Sequence, residues 1–294
     1  MPTPRSLVAC ALAVAALPAT AQQAPPATDV WMADLVREGD SWRIESPRNL
    51  TGRDGYDNQP AFAAGGARIL YTSFRDGQTD VWEIELANGE ARRVTATPES
   101  EYSPTPFGDG ARFSTVRVEA DGTQRLWSFA YPAGDEPHLL AAEVRGVGYH
   151  AWLDERRLAI FVLGDPFTLR LLDLETGNAT IVAERVGRSI HRVPGEHAAS
   201  YVAPEGQGFA IFAVDASGGE ARRLAPAPES ENRDHAWTPD GALVAAVGSK
   251  LYRLRPGKDG DWVELADLAV HGIKEITRLA LAPDGGRIAL VAAR

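Results

Sequence analysis

Residues Gly89–Glu101 read GEARRVTATPESE, and residues Gly219–Glu231 read GEARRLAPAPESE. The two stretches are displaced by 130 residues, which is three periods of about 43. Self-similarity at a period of 20 to 50 residues marks a repeat architecture, because one supersecondary unit cannot bury its apolar face alone and stacks on copies of itself. Three periods is half of a six-unit ring, so these two loops are expected diametrically opposite each other.

The rest of the period extends outward from these loops. An apolar anchor, a turn rich in Gly, Asp and Pro, and a β-rich run recur at Phe62, Phe107, Trp152, Trp237 and Leu281, with Val193 filling the same slot less regularly. Each reads as a hairpin by its turn chemistry. Six copies result, at spacings of 41 to 45 residues. A second strand pair follows each hairpin, as in Thr79 to Leu86 and Glu90 to Thr95 around Ala87-Asn88-Gly89. Four short strands per period make a propeller blade.

The chain ends complete the count. Asp29 to Leu35 reads DVWMADL and copies Asp80 to Leu86, DVWEIEL, without the two strands that should precede it. Thr277 to Arg294 carries only the first two strands of a period, and Asp29 to Gly52 only the last two. The expected fold is all-β: a six-bladed β-propeller of four-stranded antiparallel blades, closed by one blade shared two-plus-two between the termini. Such closure leaves no sheet edge free to open the ring. The whole of residues 29–294 is expected to be this single domain.

Before it, MPTPRSLVACALAVAALPATAQQ has a basic residue at Arg5, an apolar run from Leu7 to Leu17 and a small-x-small site at Ala19-Thr20-Ala21. That is the architecture of a cleaved secretory signal over residues 1–21, followed by a tether over 22–28. The run is too short to span a bilayer, and no other segment approaches that length. Export to the periplasm or outside is therefore the expected location, with no membrane insertion. Cys10, the one cysteine, leaves with the signal, which rules out thiolate metal sites and redox chemistry. The full chain has 30 basic and 40 acidic residues, net −10, and such a surface repels nucleic acid.

The segments SFRDGQTDVWEIEL (Ser73 to Leu86), WTPDGALVAAV (Trp237 to Val247) and LAPDGGRIALV (Leu281 to Val291) resemble the repeats of the TolB-like propellers, where an aromatic-x-Pro-Asp-Gly turn leads a strand. The resemblance covers the whole of residues 29–294. It is distinct from the WD repeat, since none of Trp31, Trp82, Trp127, Trp152 or Trp237 is followed by Asp. Similar repeats occur in TolB, which docks partners of the cell envelope, in the propellers of prolyl-oligopeptidase-like peptidases and in oligogalacturonate lyases. The α/β segment that TolB carries ahead of its propeller is not seen here, and no Gly-x-Ser-x-Gly nucleophile elbow occurs.

Three histidines share one slot, two residues before the anchor: His150, His191 and His235, on three consecutive blades. At the channel they would form one candidate site, with a divalent metal as the possible cofactor, since three neutral imidazoles leave coordination positions open. The competing reading packs each His under a neighbouring blade. Asp234, beside His235, would orient a neighbour or join a cation site. Glu101 and Glu231 end the two repeated loops and are expected on the channel-mouth face, against the alternative of a solvated rim. Arg188 and Arg192 flank the fourth blade's innermost strand and would hold a carboxylate bidentately, or pair with acids of adjacent blades. Arg117, Glu119 and Arg125 with Trp127 form another charged cluster in the second blade.

These residues lead to two functional expectations. The first is a non-catalytic exported scaffold that binds a protein partner or a small ligand, sugar or peptide, on the face bearing the loops before the innermost strands. The alternative is a metal-assisted lyase or hydrolase acting on an acidic sugar at the central channel, as the resemblance to oligogalacturonate lyases implies.

Overall fold

Each innermost strand is followed by a run too apolar for a half-exposed strand. LAIFV (158–162), AASYV (198–202), LVAAV (243–247) and IALVA (288–292) are almost wholly buried. A strand sandwiched between two neighbouring sheets buries both faces, which explains unbroken apolar runs where an open antiparallel sheet would alternate. The computed structural model describes residues 24–132 and 137–294. The signal assigned to residues 1–21 lies outside the described residues, as does the start of the tether. No helix among the described residues is long and apolar enough to cross a membrane.

Among the described residues twenty-four strands make six four-stranded antiparallel sheets. Blade 1 holds β3 (Asp57–Phe62), β4 (Arg68–Arg75), β5 (Gln78–Glu85) and β6 (Ala91–Arg93). Blade 2 holds β7 (Ser100–Phe107), β8 (Arg112–Val118), β9 (Gln124–Ala130) and β10 (His138–Leu139). Blade 3 holds β11 (Val147–Trp152), β12 (Arg157–Val162), β13 (Thr168–Asp173) and β14 (Ala179–Glu184). Blade 4 holds β15 (Ile190–Arg192), β16 (Ala198–Glu205), β17 (Gly208–Asp215) and β18 (Arg222–Pro226). Blade 5 holds β19 (His235–Trp237), β20 (Leu243–Val247), β21 (Lys250–Leu254) and β22 (Val263–Asp267).

Blade 6 is the expected composite. Its order is β23 (Ile276–Leu281), β24 (Arg287–Ala293), β1 (Thr28–Glu38) and β2 (Ser41–Asn49). The seam between the chain ends is the β1–β24 ladder, running from Thr28 opposite Ala293 to Asp34 opposite Arg287. Val30, Met32, Ala33 and Leu35 are buried along it. Each larger apolar side chain buried there contributes about 1.5–3 kcal/mol, so the latch is strong as well as hydrogen-bonded.

The first turn of each blade is set by its own chemistry. In Thr238-Pro239-Asp240-Gly241 the Gly241 N–H donates to the Thr238 carbonyl, and the Thr238 N–H to Ala242. In the Ala282-Pro283-Asp284-Gly285 turn the Gly285 N–H likewise donates to the Ala282 carbonyl, while the Ala282 N–H reaches one residue further, to the Arg287 carbonyl. Gly285 sits at φ +70, and a Cβ there would stand 2.9 Å from Pro239 of blade 5. Glycine is thus required for conformation and for close approach to the neighbouring blade. Between blades lie apolar clusters, such as Leu251 with Leu290 between blades 5 and 6, and Leu70 with Phe113 between blades 1 and 2.

Candidate functional site

The innermost strands ring a central channel containing a cavity of about 1160 Å³. At one end it is bounded by first-turn residues, among them Gly108, Asp154, Pro194, Pro239 and Pro283. At the other it reaches Tyr149, Arg188, Asp234 and Arg278, at or near the starts of innermost strands. Phe62, Phe107, Trp152 and Trp237 supply aromatic wall, with Phe107 and Trp152 stacked at 4.1 Å. A second hollow of about 350 Å³ lies on the face of the loops before the innermost strands. Leu163, Phe167 and Phe209 stay exposed there, and it shares Tyr149 and Arg188 with the channel.

The inner end of the cavity is crossed by a contact between opposite blades. Arg278 of blade 6 donates from Nη2 to the Tyr149 hydroxyl of blade 3, at 2.7 Å. Its guanidinium also lies 4.8 Å from the Tyr149 ring centroid. Arg188 donates to Asn232 Oδ1 at 2.7 Å and to the Thr277 carbonyl at 3.1 Å, while its buried Nε has no partner. Asp234 is buried and accepts the Leu279 N–H at 3.0 Å. Burial and the adjacent Arg278 charge hold the Arg188 guanidinium below its usual range. For Arg278, burial is outweighed by Tyr149, Asp234 and Tyr56, and its pKa is raised. Burial pushes the Tyr56 phenol up to about 12.

The three slot histidines do not converge on one point: His150 and His191 line the cavity, and His235 is buried behind it. His150 and Trp152, two residues apart on β11, face the preceding blade, where His150 Nε2 lies 2.6 Å from Ser114 Oγ and Trp152 Nε1 donates to the same oxygen at 2.8 Å. Blade 5 repeats the clasp: His235 Nε2 lies 2.9 Å from Ser200 Oγ, and Trp237 Nε1 donates to it at 2.8 Å. Where the anchor is Val193, the strand opposite His150 carries Ile160 in the serine's place. Ser189 joins the remaining pair, 3.2 Å from His191 Nε2 and 3.0 Å from His235 Nδ1, and the two rings meet edge-on at 5.0 Å. Burial lowers all three imidazoles, His150 to about 3 and His235 well below 6.5, so they are neutral at pH 7.

This donor set does not fit a shared metal ion. His235 has both nitrogens hydrogen-bonded and His150 keeps only Nδ1 without a partner. Among the described residues no three His, Cys, Asp or Glu side chains are gathered to hold a metal.

The two loop acids part company where their loops differ, Thr95 and Thr97 in one being Ala225 and Ala227 in the other. Glu231 is exposed beside the smaller hollow. Glu101 is fully buried, accepting from Thr95 Oγ1 at 2.9 Å and from Thr97 Oγ1, and desolvation pushes its carboxyl up to about 7. Arg192 is exposed at the cavity edge and donates to the Glu196 carbonyl. The blade 2 charges pair among themselves: Arg117 with Glu99, and Arg125 with Glu119 at 3.7 Å.

Tyr149, Arg278 and the clasp serines were not singled out by the sequence. One signal was present for the first two: Tyr149, Asp234 and Arg278 all stand three residues before their anchors, one position ahead of the histidine slot.

The closed ring of six four-stranded blades is a six-bladed β-propeller, and its fold is similar to that of solved TolB proteins. A protein assigned as TolB from Agrobacterium tumefaciens superposes with a TM-score of 0.70 at 13% identity, over 92% of this chain and 99% of the other. TolB from Acinetobacter baumannii gives 0.57 at 14% identity, with 89% of this chain matching 63% of that one. An oligogalacturonate lyase solved with manganese gives 0.54 at 18% identity, over 90% and 78%. These likenesses are of fold. No protein-family model matches the sequence, and no curated protein does so.

Proposed function

We propose that this protein is an exported, non-catalytic propeller that binds a ligand or a segment of a partner in its central channel. The observation that supports this most is the cavity of about 1160 Å³, walled by aromatic side chains and floored by the Arg278–Tyr149 contact. A site with an apolar wall and a few convergent polar groups is the usual form of a binding pocket. His150 and His235 take part in interblade clasps, which favours a scaffold over chemistry at those two residues. The leader over residues 1–21 supports export to the cell envelope.

Native mass spectrometry of the protein isolated from the envelope fraction of its own host tests this reading. The expected result is a chain lacking the leader and carrying a bound mass, which is lost on filling the channel with Ala280→Trp or Pro106→Trp. Circular dichroism and thermal melting verify that each variant still folds. A cytoplasmic full-length chain, or a bound mass kept by both folded channel-filling variants, would overturn it.

A further inference from the structure

We infer that the channel floor is a carboxylate site, built to receive the acidic end of a ligand whose body is apolar. This rests on the channel-binding reading above and names the chemistry of its ligand.

The first observation is an imbalance of charge. Many of the other guanidinium groups pair with acids, as in Arg157 with Asp154 at 2.6 Å, Arg37 with Asp240 at 2.6 Å and the buried Arg253 with Asp259 at 2.8 Å. Among the described residues neither Arg188 nor Arg278 makes an ion pair, although both line the cavity. The acid nearest both is Asp234, and one of its oxygens is taken by the Leu279 N–H. His191 and His235 are neutral there. Two cations therefore face one anion in a secluded place, where an uncompensated charge costs far more than at the surface.

The second observation is the set of donors left over. Arg278 uses one N–H, on Tyr149, and Arg188 Nε–H is buried without a partner. A guanidinium offers five donors in a planar fork that matches the two oxygens of a carboxylate. The Tyr149 hydroxyl, already accepting from Arg278, has its own proton to donate. The floor thus presents donors and positive charge but hardly an acceptor, and it selects an oxyanion over a cation or a neutral amide.

The third observation is the wall. Pro60, Pro104, Pro106, Pro194, Pro239 and Pro283 line the channel and have no N–H to offer. With Phe62, Phe107, Trp152 and Trp237 they give an apolar belt between the charged floor and a mouth rimmed by Asp154, Glu155, Arg156, Arg157 and Arg192. A ligand that satisfies both has a terminal carboxylate and an apolar body, either the C-terminal end of a peptide or a small organic acid.

The test uses N-acetylphenylalanine and a pentapeptide ending in phenylalanine, each as the free acid and as the amide, with sulfate alongside. Thermal stabilisation and the fluorescence of Trp152 and Trp237 report binding. The free acids are expected to bind at least about tenfold more tightly than their amides, and Arg278→Gln and Arg188→Gln to lose most of that difference. Tighter binding of the peptide acid supports a peptide end and equal binding a small acid; both support the site. Amides that match the acids, acids that bind Arg278→Gln equally, sulfate that binds as well as the acids, or no response at millimolar acid would each overturn it. A natural bound mass lost in Ala280→Trp but kept in folded Arg278→Gln removes this inference and leaves channel binding standing. Retention in both removes both.

Discussion

Arg278 and Tyr149 sit on blades 6 and 3, opposite members of the ring, and their side chains meet at 2.7 Å. The channel is therefore bridged from wall to wall by a single hydrogen bond. The bridge crosses the cavity at the end near the starts of the innermost strands, and this makes one face of the ring different from the other. A hydrogen bond to a charged group is worth roughly 1.5–3 kcal/mol where its partner stays buried. Tyr149→Phe is expected to destabilise by that amount in urea unfolding. Arg278→Gln removes the same hydrogen bond together with a cation that Tyr149, Asp234 and Tyr56 hold in its charged form, and it is expected to cost at least as much as Tyr149→Phe. A stabilised Arg278→Gln would mean that the cation is uncompensated in the free protein.

The serine clasps give a second prediction. Ser114 and Ser200 each serve an imidazole and an indole N–H from the following blade. Ser114→Ala and Ser200→Ala leave two polar groups buried without a partner, at about 1–3 kcal/mol each. The sites are two blades apart, and their losses should add. Ser200→Ala is expected to be the milder, because Ser189 still holds His235 Nδ1. Urea midpoints of the two single variants and the double variant measure this, and a neutral effect of Ser114→Ala would contradict the clasp.

The ring was legible in the sequence because repetition, turn chemistry and apolar runs all act locally. The composite blade could be read from DVWMADL alone, since a copy without its partner strands demands them elsewhere. The site was less legible for a geometric reason. Strand periodicity says that His150 and Tyr149 point opposite ways, but which way is toward the channel depends on blade tilt. The histidine slot therefore drew attention to residues that clasp blades, while the slot one residue earlier carries Tyr149, Asp234 and Arg278. Glu101 and Glu231 differ for a reason the sequence carries: Thr95 and Thr97, which bond Glu101, stand where the matching loop has Ala225 and Ala227, and Glu231 is left in solvent. Arg188 was visible as a basic residue beside an innermost strand; its partner in the floor, Arg278, comes from a blade whose other half is at the opposite end of the chain.

Closure itself is testable. The β1–β24 ladder buries Val30 and Met32 against Phe62, Ile69 and Ala289. Val30→Asp puts a carboxylate with no cationic partner into this cluster, and a cost of more than about 4 kcal/mol is expected. Ile181→Asp on the exposed fourth strand of blade 3 is the control, within about 0.5 kcal/mol of the parent. If both changes cost the same, the seam does not hold the ring.

Acid and base should stress this protein through opposite groups, and the signs can be separated. His150 has a folded pKa of about 3 and His235 one well below 6.5, both from burial. The unfolded chain then binds more protons than the folded one below pH 6.5. Their contribution is complete above that value and is lost as the pH falls, at up to about 1.4 kcal/mol per unit for each histidine. Glu101 runs the other way, because its folded pKa is raised from 4.5 to about 7. Between those values the folded state holds the extra proton, so the Glu101 contribution is present below pH 4.5 and lost as the pH rises through 7. Glu101→Gln keeps the shape and removes that titration. Relative to the parent, the variant should therefore gain stability from pH 5 to pH 8, by up to about 3 kcal/mol. Urea unfolding of both proteins at pH 5, 6.5 and 8 makes the comparison. Parallel curves would show that the Glu101 carboxylate is ionised in the fold at pH 5, held so by Arg117, whose Nε lies 3.9 Å from it. Divergence in the stated direction would show a buried acid that the fold keeps protonated near neutrality.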